Sequence, residues 1–272
     1  VCQACRRAGS QDVLHKSPGD VHRRAKYAPS VERFIEQYSR EYARELKQSE
    51  VELLEALRDG RLQLLNENAL HGQVREIFVD GRAEYDAVVK GMHIDGADAG
   101  REVAIQRHAL DISMDLTRDE VIRVLESNAL AMSEATTQRI VGDLSEALAR
   151  GYREGMSIPD IADVLEDEVF EDMRGWESER IARTNVVSGS NKGATEAYRD
   201  SGAVGKEWVA TSGPRTRKTH READGQVVPI DGTFVVGGAQ ADHPGDASLP
   251  LDELINCRCT VAPVRDPARL GA

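Results

Sequence analysis

The sequence predicts an α+β chain: an extended, mostly helical N-terminal region followed by a small C-terminal α+β module with short strands. Three observations predict it. From Val31 onward apolar residues recur in steps of three and four, the helical period. After Gly202 that period gives way to short β-favouring runs, EWVA, QVVPI, TFVV and CTVAPV, set between turn-rich stretches. Aromatic residues make up only 4% of the 272 residues, which suits helices packed through Leu, Ile, Val and Ala.

Residues 1–30 show no sustained apolar period and carry two prolines in HKSPGDVHRRAKYAPS, so they read as a loop-like or disordered basic arm. Residues 31–200 form the helical region. Val31, Phe34, Ile35, Tyr38, Tyr42, Leu46, Leu53 and Leu57 share one face of a long helix, with Ser30 as N-cap and Gly60 as stop. Between 75 and 100 four glycines and two Asp-Gly pairs predict a short helix at 83–89 within loops. A new helix is then expected from Gly100 to about Ser113. Thr117-Arg118-Asp119-Glu120 has the form of a capping box. The stripe after it, from Val121 to Leu148, fits one long helix or two with a break near 127–133. Ser157-Ile158-Pro159-Asp160 opens another helix, since proline is tolerated in a first turn. A last helix is expected from Trp176 to Arg199, ending at Ser201-Gly202. Residues 201–272 form the module, with long loops and no internal repeat.

Charge is unevenly placed. The net formal charge is −12, with +4 on residues 1–30, −15 on 31–200 and −1 on 201–272. An acidic body repels phosphate backbones, which argues against a nuclease of duplex DNA. Only the basic arm favours contact with DNA. No apolar run approaches the roughly 20 residues that a membrane span needs. The chain begins with Val rather than Met, which reads as a processed or trimmed form.

Four cysteines, Cys2, Cys5, Cys257 and Cys259, do not make a disulfide framework in a chain this long. A bridge between Cys257 and Cys259 would be strained. A reducing compartment is expected, with thiols or metal in place of disulfides. Cys257 and Cys259 on a strand would direct both thiols to one face. With His220, and His243 as a further candidate, they offer a tetrahedral zinc set. The competing reading makes both thiols buried apolar side chains. Cys2 and Cys5, with His15 and His22 downstream, are a second and weaker metal candidate. Arg215, Arg217, His220 and Asp224 admit a catalytic reading, with Arg binding a phosphate and His moving a proton. They equally fit buried hydrogen bonds that hold a long loop.

One ordered set of residues resembles a known family. Arg183-Thr184 on a helix is followed by Trp208, and then by Arg217-Lys218-Thr219-His220 with Asp224-Gly225. Phe234 and the closing Asn256-Cys257-Arg258-Cys259 complete the order. The set looks like the Mu F-like phage head morphogenesis, or minor capsid, proteins and spans about residues 178–264. The resemblance implies a virion protein inside the capsid near the portal vertex, assembled in the host cytoplasm. It implies the portal protein as partner, with the capsid interior or scaffold as others, and a role in head assembly, DNA packaging or genome delivery. It implies no settled catalytic role. The alternative is a metal-dependent hydrolase or nuclease using His220, Cys257 and Cys259.

Overall fold

A computed structural model describes residues 28–62, 66–80, 82–110, 119–211 and 213–271. The Cys2/Cys5 pair, nearly all of the basic arm and the Thr117 cap lie outside the described residues. Among those described, the helices are α1 (Pro29–Arg58), α2 (Glu67–Asp80), α3 (Arg82–His108), α4 (Asp119–Arg153), α5 (Ile158–Val164) and α6 (Ser178–Asp200). Two π-helical segments, Leu165–Phe170 and Met173–Glu177, join α5 to α6. Gly175, inside the second, departs from helical geometry (φ −84°, ψ −110°). No described helix is long and apolar enough to cross a membrane. The chain divides into two compact units, one of Val1–Ile35, Gly91–Asn128 and Arg183–Ala272, the other of Glu36–Lys90 and Ala129–Ala182.

In the second unit the stripe read from the sequence is the core face: Tyr42, Leu46, Leu53 and Leu57 of α1 are buried. Tyr42 meets Tyr85 of α3 at 5.3 Å between ring centroids, and the Tyr85 hydroxyl donates to Ser49 at 2.8 Å. Two buried acids, which no hydropathy pattern reveals, are held by arginines. Glu50 pairs with Arg174 and with Lys47. Glu177 takes both amino groups of Arg139, and Arg180 at 3.0 Å. The α4 stripe is one continuous helix. The α5 start is a full capping box. Ser157 Oγ accepts from the Asp160 N–H, and the Asp160 carboxylate accepts from the Ser157 N–H, each at 3.3 Å. Ser157→Ala is expected to cost about 1 kcal/mol in a urea melt.

In the first unit the expectation of loops across 90–100 is overturned. Helix α3 runs through Gly91, Gly96 and Gly100 without a break. Gly96 and Gly100 are there because α3 lies backbone to backbone against α6. A Cβ on Gly96 would sit 2.5 Å from the Val186 carbonyl oxygen, and one on Gly100 would sit 1.9 Å from that of Ser190. The approach is mutual: a Cβ on Gly189 would sit 2.3 Å from the His93 carbonyl oxygen, and one on Gly193 would sit 2.0 Å from that of Ala97. Gly96-x-x-x-Gly100 thus meets Gly189-x-x-x-Gly193, the spacing that lets two helices touch through their backbones.

His93 is sealed in this contact, with Nε2 3.0 Å from Asn185 Oδ1. Burial lowers its pKa to about 4, more than the Asn185 bond restores. Burial also lowers His108, against Tyr198, to about 4. In the unfolded chain a histidine takes its proton near pH 6.5. Stability is therefore full above about pH 6.5 and is lost as pH falls towards about 4. Melting temperatures taken at about pH 7.5 and about pH 5 should show this loss, and His93→Gln should flatten it.

The C-terminal strands are β1 (Gly205–Val209), β2 (Val227–Pro229), β3 (Phe234–Val236), β4 (Ala239–Ala241) and β5 (Thr260–Val264). β1 is central in an antiparallel sheet ordered β2-β1-β5, with Trp208 opposite Val261 and Glu207 opposite Val227. All five β1 residues are buried, as a central strand covered on both faces requires. β4 falls in a stretch read as loop. It pairs with β3 through Gly237-Gly238, whose φ values of +58° and +86° are those of a type I′ hairpin turn. Two short helices lie in the module: α7 (Lys218–Glu222) begins in a stretch read as loop, and α8 (Leu251–Leu254) follows directly on another.

Candidate functional site

The signature residues converge on the turn that enters β5. Asn256 has φ +59°, a left-handed conformation that Asn tolerates better than most side chains. Helix α6 grips this turn from two adjacent positions. Thr184 Oγ1 accepts from the Asn256 N–H at 2.9 Å, and Arg183 donates to Asn256 Oδ1 at 3.3 Å. Arg217 caps α8 by donating to the Ile255 carbonyl at 2.6 Å. Asp224 accepts from the Ala210 N–H at 2.9 Å. Gly225 (φ +81°) donates to the Trp208 carbonyl at 2.9 Å, closing the turn between α7 and β2. Trp208 is fully buried between Phe234 (5.4 Å) and His220 (5.6 Å), both edge-on.

Cys257 and Cys259 precede the strand instead of lying on it, since β5 begins at Thr260. Both are buried free thiols facing His220. His220 Nδ1 lies 3.2 Å from Cys259 Sγ and 3.7 Å from Cys257 Sγ. A hydrogen bond from Cys259 lowers the Cys257 thiol below its usual range. The same bond, with burial, raises Cys259 well above that range. Of the two thiols, Cys257 is therefore the one that ionises more readily. On the other side of the ring His220 Nε2 sits 3.0 Å from Glu253 Oε2 without an aligned hydrogen bond, and Thr219 Oγ1 donates to the same oxygen at 2.8 Å. Among the described residues, His220, Cys257 and Cys259 are the group whose metal-donor atoms fall within 4.8 Å of one another. His243 is not part of it: its Nδ1 turns to the Pro244 carbonyl at 3.1 Å. Arg258 is half-buried and its carbonyl accepts from Thr211, while Arg215 is exposed. Arg217 and Asp224 bind backbone groups, the arrangement of loop anchors.

Sequence reasoning missed the polar face of α6. Asn191 donates from one amide to the carbonyls of Pro244 (2.9 Å) and Cys259 (3.0 Å), and Ser188 donates to Gly245 O at 2.6 Å. Lys192 and the buried Lys206 of β1 both reach Asp242. The available signal was the run of polar side chains on a helix whose surroundings are otherwise apolar.

Residues 142–262 match the family described as Phage Mu protein F like protein. The chain is similar to "Uncharacterized protein YqbB" of Bacillus subtilis (strain 168), 24% identical over 256 residues. That alignment covers 89% of this chain and 82% of the relative. It is also similar to "NAD(+)--arginine ADP-ribosyltransferase EFV" of Enterococcus faecalis (strain ATCC 700802 / V583), 30% identical over 128 residues. Here the match covers 46% of this chain but only 26% of the relative, so the chain corresponds to about a quarter of that protein. No solved structure matches. The matched segment contains every residue of the ordered set from Arg183 to Cys259, so the match to the Phage Mu protein F like family, over a little under half of the chain, supports the resemblance that this set carries.

Proposed function

We propose that the chain is a minor head protein of a phage, docked on the portal inside the capsid and serving head assembly, DNA packaging or genome delivery. The family match over residues 142–262 carries this reading. The long helices supply the binding length, and the C-terminal module is a stable knob whose signature residues hold its own turns together. The acidic body, −15 over residues 31–200, favours a protein partner over packaged DNA, leaving residues 1–30 as the segment suited to phosphate.

Co-expression with the portal protein encoded beside it tests the reading. Native mass spectrometry should give a stable complex of defined subunit ratio. Two folded proteins that fail to associate would remove the portal from the account and favour the hydrolase reading of the His220 cluster. For the arm, Arg23→Ala with Arg24→Ala should make the salt dependence of DNA binding shallower, and an unchanged slope would exclude it.

A further inference from the structure

We propose that His220, Cys257 and Cys259 form a zinc site in the C-terminal module, with Glu253 orienting the imidazole. Tetrahedral zinc with bonds of about 2.3 Å to sulfur and about 2.0–2.1 Å to nitrogen sets its donors about 3.5–3.8 Å apart. The Nδ1 to Sγ distances of 3.2 and 3.7 Å lie around that value and all three donor atoms lie within 4.8 Å of one another, so side-chain adjustment alone admits the ion. The three donors are buried and come from two segments, α7 and the turn before β5, that are 37 residues apart in sequence at the His220–Cys257 contact.

The ring is arranged for a ligand on Nδ1. Glu253 Oε2, 3.0 Å from Nε2, favours the tautomer with the proton on Nε2 and the lone pair on Nδ1, facing the sulfurs. A carboxylate behind a ligating histidine is the usual second partner of such a site. Thr219 in turn fixes Glu253. Without an ion, Nε2 has no aligned hydrogen bond in a buried position, which costs free energy.

Charge balances as well. Zinc replaces the two thiol protons, one from each cysteine, which leave to solvent, and the two thiolates neutralise the ion. The site then tolerates Arg217 and Arg258, which line the pocket beside the donors. The same pocket is lined by His220, Cys257 and Cys259, so water could supply a fourth ligand from it. The ion would tie α7 and α8 to the start of β5 in a stretch rich in loops, the setting in which a structural metal contributes to folding.

The test uses the full chain, purified reduced and without a histidine tag. Elemental analysis and native mass spectrometry should find one zinc per chain, about 65 Da of added mass. Cobalt exchange should give thiolate-to-metal charge-transfer absorption. Cys2→Ser with Cys5→Ser should retain the ion, and Cys259→Ser should lose it. Glu253→Gln should weaken zinc about 10-fold or more. Should Cys259→Ser fail to fold, the Glu253→Gln affinity and the cobalt spectrum decide. Reduced, folded wild-type chain that takes up neither zinc nor cobalt would overturn the proposal. So would an ion that leaves with the Cys2/Cys5 change, or a Glu253→Gln chain with unaltered affinity.

Discussion

Asp242→Ala is expected to destabilise the C-terminal unit by about 3–5 kcal/mol, because it leaves two lysines without their shared acid. Lys206 sits on the central strand with its side chain wholly buried and its ammonium against Asp242 and over the Phe234 ring, 5.7 Å from the centroid. Lys192 reaches the other oxygen at 3.0 Å and also holds Glu196 at 2.9 Å. Arg199 continues the chain of charges from Glu196 to Asp231. Burial pushes the Asp242 carboxyl up, but Lys192, His243 and Lys206 outweigh it and hold the group well below the usual carboxylate range. A depressed carboxylate contributes stability that is full above the unfolded value near pH 3.9 and is lost as pH falls below it. The variant should therefore lie well below the wild type in urea midpoint at neutral pH, with the gap narrowing in acid. Adding Lys206→Met should recover part of the loss, since it removes a stranded charge and supplies apolar volume beside Trp208 and Phe234. A loss under about 1 kcal/mol in Asp242→Ala would show that the network is not a buried one.

Gly100→Val is the second large effect, expected at about 3 kcal/mol or more. Even a Cβ at this position would lie 1.9 Å from the Ser190 carbonyl oxygen, and that atom is backbone, which cannot rotate away. The two helices must separate, and that opens the packing around His93, Ala97 and Asn185. Gly193→Val should behave alike from the other side, with Ala97 O at 2.0 Å. Gly142 is the control. It lies within α4, and a Cβ added there would meet nothing within 4 Å, so Gly142→Ala should stabilise by about 0.5–1 kcal/mol through helix propensity alone. If all three changes cost alike, the backbone contact between α3 and α6 is wrong.

What the sequence disclosed was local. The α1 stripe and the Ser157 cap are each read from neighbouring residues, and so are the Gly60 and Gly202 stops, at φ +76° and +74°. What it concealed depends on distant partners. A glycine that ends a helix and one that lets another helix approach are the same letter, so Gly91, Gly96 and Gly100 read as loop. Only the matching spacing at Gly189 and Gly193, some 90 residues on, separates the two cases. The Gly237-Gly238 hairpin carried a recognisable turn signal that was absorbed into a longer loop. At the site, the ordered set placed Arg183, Thr184, Arg217, Asn256 and the two cysteines in one region. It did not reveal that Thr184 and Arg183 hold the Asn256 turn, nor that Glu253 stands behind His220. Those contacts join residues 33 to 73 positions apart in sequence, a separation that no local pattern reports.

The central proposal is that this chain is a component of the phage head. Quantitative mass spectrometry of purified heads, made from the genome that encodes it, tests that claim most directly. The account predicts the chain at a fixed low copy number relative to the portal. Heads that lack it, from cells whose lysate contains it folded and abundant, would contradict the account.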